Sequence, residues 1–192
     1  MASNVTVVIP TIPTRSDLLL NRAVPSVLNQ TRKADAIVVT VDNDRVGAWE
    51  NRNRGLSMVT TKWVAFLDDD DELLPCHIEF LTDLANAHQA DVVWGWFQVV
   101  GGTDPFPQHR GRQWDINDPH IFPITALVNN ELICDTNAHF HSDPDGTGNW
   151  GIQDFPFWKA LHDAGGKFVG APDITWLWHH HGRNTSGVPA RW

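Results

Sequence analysis

The chain has 192 residues, of which 42% are hydrophobic and 19% charged, as in ordinary soluble globular proteins. Its formal net charge of −9 argues against diffuse binding to nucleic acid or to an anionic membrane surface. Met1-Ala-Ser-Asn leads directly into an apolar run, and no apolar run approaches the ~20 residues of a spanning helix, so we expect a cytoplasmic protein without membrane insertion.

The first half of the chain alternates apolar runs with stretches of helical periodicity. The apolar runs predict strands at residues 5–10, 35–42, 62–68 and 91–100, and the periodic stretches predict helices at residues 18–30, 47–59 and 75–89. For the first helix we expect Ser16 or Asp17 as the N-cap and a kink at Pro25. Because nearly continuous apolar strands alternate with helices, the sequence predicts an α/β fold with a mostly parallel sheet covered on both faces.

The second half of the chain is less regular. Residues 101–123 and 135–150 carry turn formers and polar residues without periodicity, which is typical of long functional loops. Residues 124–133 predict a helix or a helical turn, residues 154–166 a helix, and residues 167–172 and 174–181 two more strands. We therefore expect a single domain, 1–192, in which a nucleotide-binding half (1–100) precedes a looser half (101–192) that shapes a second substrate site.

Polar side chains end three of the predicted strands. Thr11 follows the first strand, Asp42 ends the second, and Asp68 to Asp71 follow the third. Because the carboxyl ends of parallel strands meet at one edge of a sheet, where such sheets bind ligands, these side chains are expected to line one cleft. The chemistry of that cleft favours a cation-bridged anion or the hydrogen-bonding groups of a nucleoside.

The run of four aspartates is the strongest candidate for a metal site. Alternate side chains of an extended chain share a face, so Asp68 and Asp70 are expected to offer two oxygens to Mg²⁺ or Mn²⁺. A solvated acidic turn that caps the following helix is the alternative. Cys76 and Cys134 lack a zinc-type spacing and are expected to be reduced, buried thiols.

The chain contains ten tryptophans and no tyrosine. Packing in the core accounts for most of these indoles. Trp114 and Trp150 lie in surroundings rich in glycine and aspartate, and are candidates for platforms on which a sugar ring stacks.

Several segments, taken in chain order, are similar to those of one known family. "VTVVIPTIPTR", "IVVTVD", "ENRNRGL", "KWVAFLDDDDELLP", "DFPFWKALHDAGGKFVGAP" and "HGRNTSG" resemble the GT-A glycosyltransferases, in particular the inverting group called family 2. The resemblance implies a GT-A, Rossmann-like fold with Mn²⁺ or Mg²⁺ as cofactor. It also implies transfer of a sugar from a nucleotide-diphosphate donor, with UDP-sugars expected, to an acceptor hydroxyl with inversion at the anomeric carbon.

The resemblance also assigns roles to individual residues. The positions that match the family's nucleotide- and donor-binding residues are Pro10, Thr11, Arg15, Asp42, Arg52, Arg54, Asp68 and Asp69. The metal positions are Asp68 and Asp70, with His181, ahead of Asn184-Thr185-Ser186, as a third ligand. A packed or solvated histidine cluster is the alternative for His181.

Asp154 matches the family's catalytic base, and Gln153 stands where the family has a glutamate. The base must take the proton of the acceptor hydroxyl as its oxygen attacks from the face opposite the diphosphate. Glutamine carries no charge. The resemblance therefore does not imply that Gln153 takes over a role of the usual glutamate in binding the acceptor or tuning the base. The alternative for Asp154 is a simple helix N-cap.

The acceptor is expected to bind to the irregular segments of the second half. The candidate residues are Arg112, Trp114, Trp150 and Gln153. The resemblance leaves the acceptor open between a glycan, a protein and a modified nucleic-acid base. A soluble acceptor is expected in preference to a lipid-linked one, because the sequence has no hydrophobic tail.

Two other classes of protein are alternatives. A nucleotidyltransferase shares the alternating fold and the acidic metal site, but it would carry a glycine-rich loop after the first strand, and "TIPTRSD" has no glycine. A non-catalytic, tryptophan-rich carbohydrate-binding protein would not need aspartates at several strand ends.

Overall fold

The computed structural model describes residues 4–118, 126–141 and 151–180, apart from the side chains of residues 151–153. Within that part of the chain, seven strands form one sheet: β1 (Val5–Thr11), β2 (Ala36–Val41), β3 (Trp63–Phe66), β4 (Glu72–Leu73), β5 (Val92–Val100), β6 (Ala126–Asn129) and β7 (Phe168–His179). Their order across the sheet is β2-β1-β3-β6-β5-β7-β4. Only β6 and β4 run against the other strands, so the predicted α/β fold with a mostly parallel sheet is confirmed.

Helices flank this sheet. They are α1 (Ser16–Leu18), α2 (Val24–Leu28), α3 (Ala48–Leu56), α4 (His77–His88), α5 (Asn130–Thr136) and α6 (Gly151–Asp163), with short 3-10 turns at Pro13–Arg15 and Pro107–His109. The three helices predicted in the first half are thus present, although the first of them is broken into pieces.

The apolar residues of the strands divide between two cores, one on each face of the sheet. Val5, Val7 and Ile9 of β1 point to the face covered by α2 and α4. Val8 points to the opposite face, where residues of α5 and α6 complete the core with Phe66 and Trp94. Strands buried on both faces explain why the sequence shows nearly continuous apolar runs.

The first helix starts differently from the prediction. Ser16 is its first α-helical residue, and neither Ser16 nor Asp17 caps it, because the 3-10 turn Pro13–Arg15 leads into it directly. The irregularity predicted at Pro25 takes the form of a π-helical turn, Leu19–Ala23, just before this proline. Proline has no N–H and clashes with the preceding turn, so a local change of hydrogen-bonding pattern is expected there.

Residues 124–133 are not one helix. Ala126–Asn129 form strand β6, which lies between β3 and β5, and α5 begins only at Asn130. The side chain of Asn129 accepts a hydrogen bond from the main-chain N–H of Glu131 at 3.1 Å and so caps α5. Full burial of Ala126, Leu127 and Val128 between two strands outweighs their local helical propensity.

The two strands predicted at residues 167–172 and 174–181 are a single strand, β7. Its pairing with β5 is irregular, since Trp94 pairs with Gly170 while Trp96 pairs with Ile174. This bulge accommodates Pro172, which cannot donate a hydrogen bond to a regular ladder.

Both cysteines are free, as predicted, but Cys76 and Cys134 are exposed rather than buried. Cys76 directly precedes α4, and Cys134 lies on the outward side of α5. No helix in the described ranges has the length and apolar character needed to cross a membrane.

Candidate active site

Thr11, Asp42 and the aspartate run come together at the carboxyl edge of β1, β2 and β3. The main-chain N–H of Asp42 donates to the carbonyl oxygen of Thr11 at 2.8 Å. The hydroxyl of Thr11 donates to Oδ2 of Asp69 at 2.6 Å. The predicted meeting of three strand ends is therefore confirmed, and Pro10 lies buried beside them in β1.

The four aspartates form a turn rather than an extended strand. β3 ends at Phe66, and the N–H of Asp71 donates to the carbonyl oxygen of Asp68 at 3.2 Å. The prediction that alternate side chains share a face is therefore wrong, because the period of two holds only within a strand. In the turn, Asp69 and Asp70 face one arginine, and Asp68 faces another.

Two of the predicted arginines make these contacts. Nη1 of Arg15 lies 2.9 Å from Oδ1 of Asp69 and 3.1 Å from Oδ2 of Asp70. Nη2 of Arg52 lies 2.7 Å from Oδ1 of Asp68. Arg54, the third predicted arginine, points instead toward exposed acidic side chains near the start of α3 and does not contact the turn.

Two further residues hold the site together and carry no signal that sequence reasoning detected. Arg22 donates to the main-chain oxygen of Asp70 at 2.5 Å. The side-chain amide of Asn51 donates to the carbonyl oxygens of Thr11 and Thr40, at 3.1 and 2.7 Å, and so joins the ends of β1 and β2. Asn51 belongs to the segment "ENRNRGL", in which only the two arginines were predicted to bind the nucleotide.

The aspartate turn is held away from water. Asp69 is 3% exposed and Asp71 is 2% exposed, and burial raises the pKa of both carboxyl groups. The hydrogen bonds from Thr11 and Arg15 oppose this rise in the pKa of Asp69. Asp71 accepts a hydrogen bond from the main-chain N–H of His179 at 2.8 Å, which ties the turn to β7. So many carboxylates in a poorly hydrated turn require nearby cations.

Asp42, predicted to bind the nucleotide, organises the loop that follows it. Its two carboxylate oxygens accept the main-chain N–H groups of Val46 and Gly47 at 3.0 and 2.9 Å. These hydrogen bonds, the one from Gly47 foremost, lower the pKa of Asp42. The carboxylate therefore stays ionised at the sheet edge.

Asp154 lies in the first turn of α6. The helix begins at Gly151, so Asp154 is inside the helix and is not its N-cap. Its Oδ1 is buried and receives no hydrogen bond from the described residues. Burial raises the pKa of Asp154 to about 6, while the charge of Arg52 lowers it and the charge of Asp68 raises it further.

Aromatic packing connects this end of α6 to α3. The ring of Phe157 stacks on Phe140 with centroids 4.4 Å apart. The main chain of Phe140 exchanges two hydrogen bonds with the side chain of Asn53, at 2.8 and 2.9 Å. The guanidinium of Arg52 lies 5.8 Å from the centre of the same Phe140 ring. The same cluster of aromatic rings thus contacts both Arg52 and the part of α6 that carries Asp154.

The ligand atoms that this turn offers fit a divalent cation only in part. Asp68 and Asp70 supply the hard oxygens that Mg²⁺ and Mn²⁺ prefer, and a guanidinium already occupies a cationic position between Asp69 and Asp70. Within the described ranges, however, no three His, Cys, Asp or Glu side chains are grouped to hold a metal ion. The protein oxygens would therefore need water or phosphate oxygens to complete the coordination.

Two of the predicted acceptor residues lie elsewhere. Arg112 and Trp114 line a cavity of about 260 Å³ together with Asp115 and Asp118. Trp114 also packs on His162, with ring centroids 4.9 Å apart. His162 is eight residues beyond Asp154 along α6, which corresponds to about 12 Å. Trp150 and His181 lie outside the described residues, as does the side chain of Gln153.

The fold is that of solved glycosyltransferases. The chain is similar to residues 1–349 of S. aureus TarS in complex with UDP-GlcNAc, with a TM-score of 0.77 and 15% identity over 96% of this chain and 61% of that one. It is also similar to the mannosyltransferase PcManGT from Pyrobaculum calidifontis in complex with GDP-Man and Mn²⁺, with a TM-score of 0.69 and 14% identity over 95% and 58% of the two chains. The predicted GT-A fold is thereby confirmed.

Sequence comparison gives a closer assignment. The chain is 32% identical over 112 residues to the GalNAc(5)-diNAcBac-PP-undecaprenol beta-1,3-glucosyltransferase of Campylobacter jejuni, a match that spans 45% of this chain and only 36% of that protein. The family model described as "Glycosyl transferase family 2" matches residues 43–144, which is more than half of the chain. This protein therefore belongs to glycosyl transferase family 2.

Proposed function

We propose that this protein is a metal-dependent, inverting glycosyltransferase that moves a sugar from a UDP-sugar to an acceptor hydroxyl, with Asp154 as the general base. The observation that carries the proposal is the convergence, around Arg52, of the aspartate turn and a buried carboxyl group. Arg52 pairs with Asp68 and interacts electrostatically with Asp154. The residues proposed to bind the sugar donor and the proposed proton acceptor thus lie around the same guanidinium group, that of Arg52.

The residues of the sheet edge would hold the donor. Thr11 and Asp42 stand where the nucleoside would bind, and Arg15 and Arg52 supply guanidinium groups for the diphosphate. Asp68 and Asp70, with His181 as a further candidate, would hold Mn²⁺ or Mg²⁺. When bound, such an ion neutralises charge that develops on the leaving diphosphate.

Asp154 would handle the proton of the acceptor. Its carboxylate accepts the hydroxyl proton while the hydroxyl oxygen bonds to the anomeric carbon and the bond from that carbon to the diphosphate breaks. Attack from the face opposite the diphosphate inverts the configuration. A buried carboxyl group with a pKa of about 6 is ionised near neutral pH, yet it is more basic than an exposed aspartate.

Arg112 and Trp114 remain the proposed contacts for the acceptor beyond the reacting sugar. Their cavity offers charged groups beside an indole, which suits the hydroxyls and C–H faces of a carbohydrate. Phe168 stacks on one face of Trp114 with ring centroids 4.4 Å apart, and His162 also packs on this indole, so a sugar would meet only the part of the ring that these two residues leave uncovered. A glycan is therefore the acceptor that this surface favours.

Neither alternative class gains support. A nucleotidyltransferase would have no need for a buried base on α6, and a pure carbohydrate-binding protein would not need an arginine-paired aspartate turn. Membership of glycosyl transferase family 2 supports the transferase.

A thermal-shift screen tests the proposal. UDP, GDP, UDP-GlcNAc and GDP-mannose are each added with Mn²⁺, with Mg²⁺ and with EDTA. We expect uridine nucleotides to raise the melting temperature by several degrees only when metal is present, because ligand binding stabilises the folded state. Stabilisation by guanosine nucleotides alone would move the donor assignment to GDP-sugars. Equal stabilisation in EDTA would remove the metal dependence, and no stabilisation by any nucleotide would contradict a nucleotide-sugar donor.

The pH profile of transfer tests the role of Asp154. Only the ionised carboxylate accepts a proton, so kcat/KM is expected to fall about tenfold for each pH unit below an apparent pKa of about 6. The measurement is initial-rate kinetics between pH 4.5 and 8 at constant ionic strength, with nucleotide binding followed in parallel. A profile that stays flat down to pH 4.5 would contradict the assignment.

A further inference from the structure

The guanidinium of Arg15 is shared by two carboxylates of the aspartate turn. Its Nη1 lies 2.9 Å from Asp69 and 3.1 Å from Asp70. The other oxygen of Asp69 accepts the Thr11 hydroxyl at 2.6 Å, so both oxygens of Asp69 are engaged by the protein. The shared guanidinium is anchored on Asp69 and reaches Asp70 with the same nitrogen.

Asp70 is one of the two carboxylates assigned to the cation. A Mn²⁺ or Mg²⁺ ion held by the Asp70 oxygen that Arg15 contacts would share this oxygen with the guanidinium nitrogen 3.1 Å away, and the two positive charges would repel each other. If the ion uses the other oxygen of Asp70, a carboxylate already neutralised by an arginine still attracts a second cation less strongly. In both arrangements the two cations oppose each other.

We propose that Arg15 is a built-in competitor of the divalent cation at Asp70, and that metal binding releases its guanidinium toward the donor diphosphate. This inference rests on the proposed function. Arg15 acts here as a positioning residue, which neutralises the turn without metal and contributes to the diphosphate site when metal is present.

The surroundings of Arg15 permit this exchange. Its side chain is 32% exposed, whereas that of Asp69 is only 4% exposed, so the arginine can move while the aspartate stays in place. A released guanidinium offers N–H groups that match phosphate oxygens. Metal and diphosphate binding are then coupled, because each favours the state in which Arg15 has left Asp70.

The other two arginines of the turn differ in ways that make controls possible. Arg22 brings the same charge to the same turn, but its described hydrogen bond goes to the main-chain oxygen of Asp70 and to neither carboxylate oxygen. Arg52 contacts Oδ1 of Asp68, and the described residues give Oδ2 of Asp68 no hydrogen bond. Arg22 is therefore the matched control for the loss of a positive charge near the turn.

Isothermal titration calorimetry with MnCl₂ alone tests the inference on the wild-type chain and on Arg15→Gln, Arg15→Lys and Arg22→Gln. We expect Arg15→Gln to bind Mn²⁺ about tenfold more tightly than the wild type, a coupling of ordinary size. Arg15→Lys, which keeps the charge but loses the planar fork, should lie between them, and it remains informative if the glutamine variant does not fold. Arg22→Gln leaves both carboxylate contacts of Arg15 in place, so any rise in Mn²⁺ affinity should stay within about threefold of the wild type.

A second titration adds UDP at saturation. In the wild type, UDP should tighten Mn²⁺ binding, and in Arg15→Gln this gain should shrink, because the released guanidinium is missing. Equal Mn²⁺ affinity in the wild type and Arg15→Gln, or an equal rise in Arg22→Gln, would overturn the inference and leave the proposed function standing. Absence of Mn²⁺ binding in every variant, with and without UDP, would overturn the metal dependence of the proposed function as well.

Discussion

Replacing Asp154 with asparagine is expected to slow sugar transfer by about 10²- to 10⁴-fold, the usual contribution of a general base. Asparagine has nearly the shape of aspartate, so the packing around the first turn of α6 should survive. The amide cannot accept the proton of the acceptor hydroxyl. UDP binding in the presence of Mn²⁺ should change little, because the nucleotide would bind at the sheet edge. Single-turnover transfer kinetics and calorimetry with UDP measure the two quantities separately.

Asp163→Asn provides the control for this variant. Asp163 ends the same helix, is exposed, and forms an ion pair with Lys159 on the surface. Because exposed pairs of this kind contribute little, its replacement should leave transfer within about twofold of the wild type. Transfer by Asp154→Asn at the wild-type rate would remove the base assignment, and loss of UDP binding in that variant would indicate a structural role instead.

The alternation of apolar runs and helical stretches was sufficient to predict the fold. Residues such as Val7 and Val8 are buried on opposite faces of the sheet. Burial on both faces produces nearly continuous apolar runs, which a single sequence shows. Strand β6 was not predicted, because it is only four residues long and is followed directly by α5. Its pairing with β3 and β5 depends on residues more than 25 positions away, which no local window contains.

The contents of the site were predictable where a strand end carried an unusual residue. Thr11, Asp42 and the aspartate run each stand at such an end, and the structure brings them together. The orientation of the aspartates was not predictable, because it depends on where β3 stops. One residue of difference in that boundary changes which side chains face the arginines.

The arginines illustrate the other limit of sequence reasoning. Arg22 reaches the main chain of Asp70 from the π-helical turn, across 48 positions of sequence, and nothing near it suggests a role. Arg52 and Arg54 look equivalent in "NRNRG", yet their side chains leave α3 in different directions. Two residues correspond to about 200° around a helix, so only one of them faces the aspartate turn.

Replacing Asp70 with alanine is expected to abolish the effect of Mn²⁺ on UDP binding and to lower transfer by about 10²-fold or more. The variant removes one of the two carboxylates assigned to the cation. It also frees Arg15 from one of its two partners, so UDP without metal should bind at least as well as it does to the wild type. Calorimetry with UDP, carried out with Mn²⁺ and with EDTA, measures both effects.

Asp71→Asn is the control for Asp70→Ala. It tests whether the loss of any aspartate of the turn has the effect expected from the loss of a metal ligand. The adjacent carboxyl group of Asp71 is buried and accepts the main-chain N–H of His179, a contact that the amide oxygen of asparagine retains. Burial already raises the pKa of Asp71 well above its ordinary value, so the loss of its charge should matter less. We therefore expect Asp71→Asn to keep most of the Mn²⁺-dependent gain in UDP affinity. A gain that persists in Asp70→Ala, or disappears equally in both variants, would contradict a specific metal role for Asp70.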